Sequence, residues 1–440
     1  MRRLTNAMTT LALLFWSVSV DAGEPTRTVT EFAKITASDG IPGAFGASIA
    51  VSGDDLVVGA PGYITKEGVV GAAYVFRRSG PRWIETAQLF PQFGGMDGED
   101  FGLSVAIDGD LIVVGAPHII GGQIGGGYGR AFIFRRQDPG TPHDPFDDLW
   151  WQDAHLMSPD ELRWGDNFGM SVAVSDGAVL IGRPGWDFTT GSAYIYRRVS
   201  DVWVHDASLN PSDSRINDDF GGAVSLNGSL ALVGARNYDG ASYSGAAYIF
   251  GKTEGVWLEE GKLSPSDPAF LGDFGRSVCL SDRYAVVGAQ FKAYVYGEHD
   301  GWWGEEQLTV PGSTNDFALR VASDSDVILS SDTNGIAHLF CRDGNAWTHC
   351  RKLTTSVGAQ LGFRVAVGDT YAFVNGSYET VYVYVTPRAT KNLRDFAAFQ
   401  TCFSNQQSEC PTECEQVDLV PDGWVNLVDF DEFLATFAGP

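Results

Sequence analysis

The sequence predicts an all-β protein: a seven-bladed β-propeller of four-stranded blades closed by an N-terminal strand, plus a small α-helical C-terminal module. Three observations support this. A phrase of about 18 residues returns seven times, each copy continues through the same four strand-like segments, and one fourth-strand segment is displaced to the N-terminal end.

The phrase FGASIAVSGDDLVVGAPG at residues 45–62 returns as FGLSVAIDGDLIVVGAPH from Phe101 and FGMSVAVSDGAVLIGRPG from Phe168. It returns again as FGGAVSLNGSLALVGARN from Phe220 and FGRSVCLSDRYAVVGAQ from Phe274. Two worn copies follow, FALRVASDSDVILSS from Phe317 and LGFRVAVGDTYAFVNG from Leu361, so the period is about 53 residues. Within each phrase two short Val, Ile and Ala runs are split by a tight turn, such as Asp108-Gly109, Asp176-Gly177 or Asn227-Gly228. Those residue types tolerate positive φ and pair the runs as an antiparallel hairpin. A third segment follows, GAAYVFRR at 71–78 or GSAYIYRR at 191–198. A tryptophan (Trp83, Trp151, Trp203, Trp257, Trp303, Trp347) then opens a fourth, which ends in Leu.

Seven copies of the first three segments are followed by only six Trp-to-Leu fourth segments. The seventh is EFAKITASDG at residues 31–40, which matches GKLSPSD at 261–267 and ASLNPSD at 207–213. A strand from the chain start that completes the last blade closes a ring and protects its sheet edges, whereas an open solenoid gives no reason for the displacement.

Composition agrees with this architecture. The 53 Gly, 27 Phe, 15 Tyr and 12 Trp among 440 residues suit many short strands and tight turns. The net charge of −25 repels nucleic acid and anionic membrane surfaces, which excludes those partners. Residues 1–22 read as a signal peptide, with Arg2 and Arg3, an apolar run at 11–20, and Ala22 at the cleavage spacing. The run is shorter than the ~20 residues of a membrane span, and no other segment reaches that length, so the mature protein is expected without a transmembrane segment.

The Phe-Gly opening and the Val-Val-Gly-Ala-Pro phrase resemble FG-GAP repeats, the units of the integrin α-subunit head, in a bacterial form, over residues 29–386. The resemblance implies a propeller that recognises ligands through loops on one face. Calcium-binding blades of that family carry a long DxDxDG-like loop between the first two strands. Here SGDD (52–55), IDGD (107–110) and SDSD (323–326) are tight turns, so no cofactor is expected in the propeller.

Residues 387–440 form a second module. Asn392-Leu393-Arg394-Asp395-Phe396 with Phe399 and Phe403 is echoed 34 residues later by Asn426-Leu427-Val428-Asp429-Phe430 with Phe433 and Phe437. Phe at i, i+3 and i+7 predicts two short amphipathic helices. The phrase DLVPDGWVNLVD at 418–429 resembles a dockerin or EF-hand loop. That resemblance assigns calcium ligands to Asp418, Asp422, the Trp424 carbonyl, Asn426 and Asp429, and implies a cohesin-like or surface partner. Val420 brings no ligand atom, which makes any calcium site weak; a turn that merely enters a helix capped by Asn426 is the alternative.

Among residues that carry chemistry, Cys341 and Cys350 flank the RDGNAW turn of one hairpin and suit a cross-strand disulfide. Cys279 reads as a buried thiol, and the pairing of Cys402, Cys410 and Cys414 stays open. Asp100, Asp219, Asp273 and Asp316 precede repeat openings, as turn residues bonding nearby amides or as ligand contacts. Arg320 and Arg364 stand where the other five copies have Ser or Ala, as ligand-binding cations for an anion or as repacking of a divergent seam. None of the seven His lies on an inner strand and no triad or metal-hydrolase motif is visible, so no catalytic residues are expected.

The expected function is a secreted or cell-surface binding or adhesion protein, not an enzyme, that recognises an extracellular protein or glycan through propeller-face loops. A structural surface-layer component and a propeller hydrolase with an illegible site are the alternatives.

Overall fold

The computed structural model describes residues 27–387, apart from 42, 66–67, 81, 93–99, 118–127, 138–145, 161–165, 185–189, 214, 217, 238–243, 268–271, 291, 300–301, 311–316, 333–334, 344–345 and 377–378. The signal peptide, nearly all of the 387–440 module and Asp316 therefore lie outside the described residues.

Seven four-stranded antiparallel blades stand in a ring. Blade 1 shows the pattern, with an inner strand Ser48–Ser52, a second Asp55–Ala60, a third Ala72–Ser79 and an outer Arg82–Leu89. The second strand is buried at all six positions, because neighbouring blades cover both of its faces. Its sequence therefore reads as a continuous apolar run rather than an alternation. The outer strand has one face towards solvent and mixes exposed with partly buried residues. Side chains of successive blades share each core: Val57, Val75 and Leu89 of blade 1 pack with Phe101, Ile112 and Phe132 of blade 2. The repeat phenylalanines Phe101, Phe168, Phe220 and Phe274 are wholly buried, each worth about 1.5–3 kcal/mol of burial.

Inner strands neighbour one another in chain order around the axis. The last, Leu361–Val367, returns to the first, Ser48–Ser52. At this inner layer the blades touch backbone to backbone. A Cβ added to Gly59, Gly115, Gly182 or Gly234 would meet the carbonyl oxygen of Gly102, Gly169, Gly221 or Gly275 in the next blade at 1.9–2.0 Å. In blades 1 to 3 the serine two residues beyond the glycine of the Phe-Gly opening reinforces the contact, whereas blade 4 has Ala223 there. Ser48, Ser104 and Ser171 donate through Oγ to the Gly102, Gly169 and Gly221 carbonyls at 2.7, 2.8 and 2.8 Å.

Ala33–Ile35 pairs antiparallel with Thr380–Val385, so the N-terminal segment supplies the outer strand of blade 7, as the displaced phrase predicts. The boundaries it creates use the same contacts as the others. The Ser212 and Ser266 amides donate to Glu259 and Glu305 at 2.7 and 2.9 Å at ordinary boundaries. The Ser356 amide donates to Glu31 at 2.6 Å and the Ser38 amide to Glu85 at 2.9 Å at the closing ones. Tyr74 donates to Asp39 at 3.1 Å across the closure, as Tyr248 does to Asp213 at 2.7 Å inside the ring. Trp83 of blade 1 packs edge-on against Phe373 of blade 7 at 5.2 Å.

Two elements exceed the expectation. Arg27–Thr30 runs parallel to Ala346–Thr354 as a fifth strand of blade 6, and Ile64–Thr65 with Gly68–Val69 forms a small separate hairpin. In five blades a bulge between third and outer strands leaves one unpaired residue, a position held by Asp153, Asp206 and Cys350 among others. The bulge turns that residue towards a neighbour: Asp153 accepts from Trp203 Nε1 at 2.8 Å and Asp206 from Lys252 at 2.9 Å, both in the next blade.

The glycine contact sets a test. Gly115→Ala is expected to cost about 3 kcal/mol or more, because backbone stands where the methyl would go. Gly261→Ala, where nothing lies within 4 Å, should stay within about 0.5 kcal/mol. Denaturant melts of both variants check this, and equal midpoints would show that the close approach carries no stability.

Candidate ligand-binding site

The ring encloses an axial channel with two unlike mouths. At the end where inner strands finish and second strands begin, a cavity of about 930 Å³ is lined by Asp54, Asp55, Asp108, Asp110, Asp324 and Asp369, with Arg77, Arg78 and Arg136. These acids are largely engaged. Arg77 reaches Asp55 at 3.2 Å, Arg136 also bonds Asp55, and Arg78 bonds Asp54 at 2.5 Å. Ser52 pairs directly with Asp55, and Asp108 with Leu111, so each turn holds two residues. A turn of that size does not fit the loop that wraps a calcium ion with six or more oxygens. Among the described residues no group of three or more His, Cys, Asp or Glu is placed to hold a metal.

The opposite mouth lies where inner strands start and second strands end, and its cavity of about 320 Å³ has Arg236, Arg276, Arg320 and Arg364 in its lining. They come from four consecutive blades. Arg236 follows the second strand Leu230–Ala235 of blade 4, and Arg276 precedes the inner strand Ser277–Leu280 of blade 5. Arg320 and Arg364 lie within the inner strands Phe317–Asp324 and Leu361–Val367 of blades 6 and 7. Blades 1 to 3 face them with a mainly apolar wall, Ile49 from blade 1, Leu103 from blade 2 and Met170, Val172 and Pro184 from blade 3, between which the latch serines Ser48, Ser104 and Ser171 also line the cavity.

Sequence reasoning singled out Arg320 and Arg364, and the structure brings both to one cavity. Arg364 also has a structural role, because its Nε donates to the Ala47 carbonyl of blade 1 at 2.5 Å, close to where a serine latch acts in other blades. That uses one of the five donors of its guanidinium. Arg236 and Arg276 were missed, because their positions in the repeat vary in residue type. Arg236 stands where blade 1 has Pro61, and Arg276 directly follows its Phe-Gly opening.

Among the described residues, carboxylates pair with two of these arginines. Asp219 bonds Arg236, and Asp273 lies 3.4 Å from Arg276. Burial pushes the Asp219 carboxyl up to about 6, against the pull of Arg236. Burial, and then Arg364, Arg276 and Arg236, push the Arg320 guanidinium down to about 9, while burial also lowers Arg364. Four guanidinium groups around one small cavity thus oppose each other's charge, an arrangement suited to receiving an anion.

The acids ahead of the repeat openings have mainly a backbone role. Asp100, Asp219 and Asp273 take positive φ of 53°, 60° and 48°, and their carbonyls accept amide bonds from Leu103, Gly222 and Arg276 at 3.0, 3.0 and 3.1 Å. The residue type was therefore read correctly as a turn former. Its backbone carbonyl makes these bonds, and the Asp219 side chain turns to Arg236 instead.

In blade 6, Cys341 and Cys350 are joined by a disulfide with Cα atoms 5.7 Å apart, Cys350 being the bulge residue. Cys279 is a free thiol whose pKa burial raises. The same blade as the disulfide holds a group that the sequence did not disclose. His338 contacts Asp332 at 3.5 Å and His349 at 3.1 Å, with the two imidazoles only 5% and 8% exposed, too enclosed to meet a substrate. The sequence-assigned calcium residues Asp418, Asp422, Trp424, Asn426 and Asp429 lie outside the described residues.

A seven-bladed propeller whose blades are stitched by Phe-Gly openings and glycine contacts defines an FG-GAP-type ring. The FG-GAP repeat model matches residues 29–76, 83–134, 150–196, 203–250 and 257–300, more than half of the chain, and the chain belongs to that family. Blades 6 and 7, with Arg320 and Arg364, fall beyond the last matched segment. Integrin alpha-7 of Rattus norvegicus is 31% identical over 118 residues, 25% of this chain and 10% of the integrin. Integrin alpha-7 of Mus musculus is 32% identical over 127 residues, 27% of this chain and 10% of the integrin. The similarity thus spans about a tenth of those relatives' length. A chain in the solved "Crystal Structure of Mitotic Checkpoint Complex" superposes with a TM-score of 0.50 at 11% identity, covering 84% of this chain and 98% of that one, which supports the fold alone.

The buried histidine pair predicts a pH response. Burial first, then the charges of His338 and Lys352, push the His349 pKa down to about 4 from 6.5; Asp332 faces the pair from the second strand. A base with a depressed native pKa stays neutral in the fold while the unfolded chain takes up a proton. Its stability contribution is therefore full above pH 6.5 and is lost as pH falls towards 4, by about 1–3 kcal/mol. His349→Gln should flatten the melting temperature between those pH values relative to wild type. Parallel curves would reject the assignment.

Proposed function

We propose that the propeller is the recognition module of an extracellular or cell-surface protein that binds a protein or glycan ligand at the arginine-bearing mouth, and that it is not an enzyme. The observation that carries this reading is four arginines on four consecutive blades at one mouth, in a chain of net charge −25. Such a patch runs against the overall field and draws a particular anionic group rather than polyanions at large. Family membership and the similarity to integrin alpha-7 support a ligand-binding role and an extracellular or surface setting. The 387–440 module, with weak calcium binding and a cohesin-like or surface partner, fits the same reading as an attachment device.

Probing glycan and protein arrays with the mature chain tests it. A specific hit that Arg320→Ala weakens at least about tenfold, without a fall in melting temperature, is expected, while adding Arg364→Ala should also lower the melting temperature because it removes the latch to Ala47. Absence of any hit, accompanied by self-assembly, would favour a structural surface component instead.

A further inference from the structure

The two halves of the arginine-bearing mouth differ in chemistry, and that difference constrains what the cavity accepts. Blades 4 to 7 contribute guanidinium groups close to the starts of the inner strands, and opposite them blades 2 and 3 contribute Leu103, Met170, Val172 and Pro184, with the latch serines of blades 1 to 3 between. Among the described residues, Asp219 lines the cavity and is held by Arg236, and Asp273, just outside it, contacts Arg276. An inorganic ion would satisfy the cationic wall and leave the apolar wall wet. A neutral apolar molecule would do the reverse. A volume of about 320 Å³ lies at the lower end of ligand pockets, enough for a body the size of one aromatic amino acid, so a larger protein or glycan ligand would place only one such group inside it.

We infer that this cavity binds an amphiphilic organic carboxylate, its head paired with Arg320 and Arg364 and its compact apolar body laid against Met170 and Leu103. This rests on the recognition role of the same mouth and gives it a ligand class. The head would be held by planar, charge-assisted forks, which suit a carboxylate geometrically. Four guanidinium groups from four consecutive blades line one small cavity, so a bound carboxylate lowers the repulsion among them. The carboxylate can come from a free small acid or from the C-terminus of a protein partner ending in an apolar residue. Both present the same head and body.

The test is calorimetric titration of the mature full-length chain with N-acetyl-L-phenylalanine, its neutral amide, hexanoate and sulfate. Binding of N-acetyl-L-phenylalanine or hexanoate below about 10 mM is expected, with the amide and sulfate at least about tenfold weaker. N-acetyl-L-phenylalanine ahead of hexanoate points to a chain terminus, and the reverse order to a free acid. Arg320→Met with Arg364→Met should weaken the acid at least about tenfold while circular dichroism is unchanged. If that variant unfolds, the comparison of acid with amide on the wild-type chain still decides. Equal binding of acid and amide, sulfate as tight as the organic acids, or no heat from either acid would overturn the assignment. Array hits on the same mouth would survive any of those results, so failure of the ligand class is distinguishable from failure of the recognition role.

Discussion

Adjacent blades meet through bare backbone around the channel, where a glycine of one second strand lies against a glycine carbonyl of the next blade. Much else depends on that approach. It fixes the spacing of the inner strands, lets the serine latches reach the same carbonyls, and brings the apolar faces of neighbouring blades close enough to share cores. The repeat therefore keeps glycine at this place in blades 1 to 5, Gly288 holding it in blade 5, while the surface-facing outer strands differ freely. A ring built this way has no free end as long as the N-terminal segment completes blade 7. The closing boundaries repeat the serine-to-glutamate and tyrosine-to-aspartate contacts of the interior ones.

The ring departs from its repeat in one sector, and the departures share a location. In blade 6 Ser331 takes the glycine position and in blade 7 Asn375 does, while Arg320 and Arg364 replace the latch serine. Arg364 retains a latch by bonding Ala47. Repetition sets the symmetric frame, and four consecutive blades break it with cations. One mouth thereby becomes basic while the other is lined mainly by acids held by arginines. The asymmetry, more than the fold, gives the molecule a site, since a propeller as such is compatible with many activities.

Legibility in the sequence followed the same division. The blades were readable because a period of about 53 residues imposes the same buried second strand and the same turn each time, and the closing strand because its SPSD-like phrase stood at the wrong end of the chain. Arg27–Thr30 was not readable, since four residues pairing parallel to an outer strand carry no alternation of their own. Arg320 and Arg364 were visible as departures from a column that otherwise holds Ser or Ala. Arg236 and Arg276 sit in columns where residue type varies, and only the ring geometry brings them level with the others. The His338–His349 pair depends on a bulge that shifts the register between Leu339 and Phe340, which residue spacing does not reveal.

Seven blades that share cores and close through a strand from the chain start should form one cooperative unit rather than a stack of independent repeats. Differential scanning calorimetry of residues 27–387, compared with the same chain begun at residue 40, tests this most directly. A single transition whose calorimetric and van't Hoff enthalpies agree is expected for the closed ring, and a broadened transition at lower temperature once the closing strand is gone. Multiple transitions in the intact chain, or an unchanged transition after removal of residues 27–39, would contradict it.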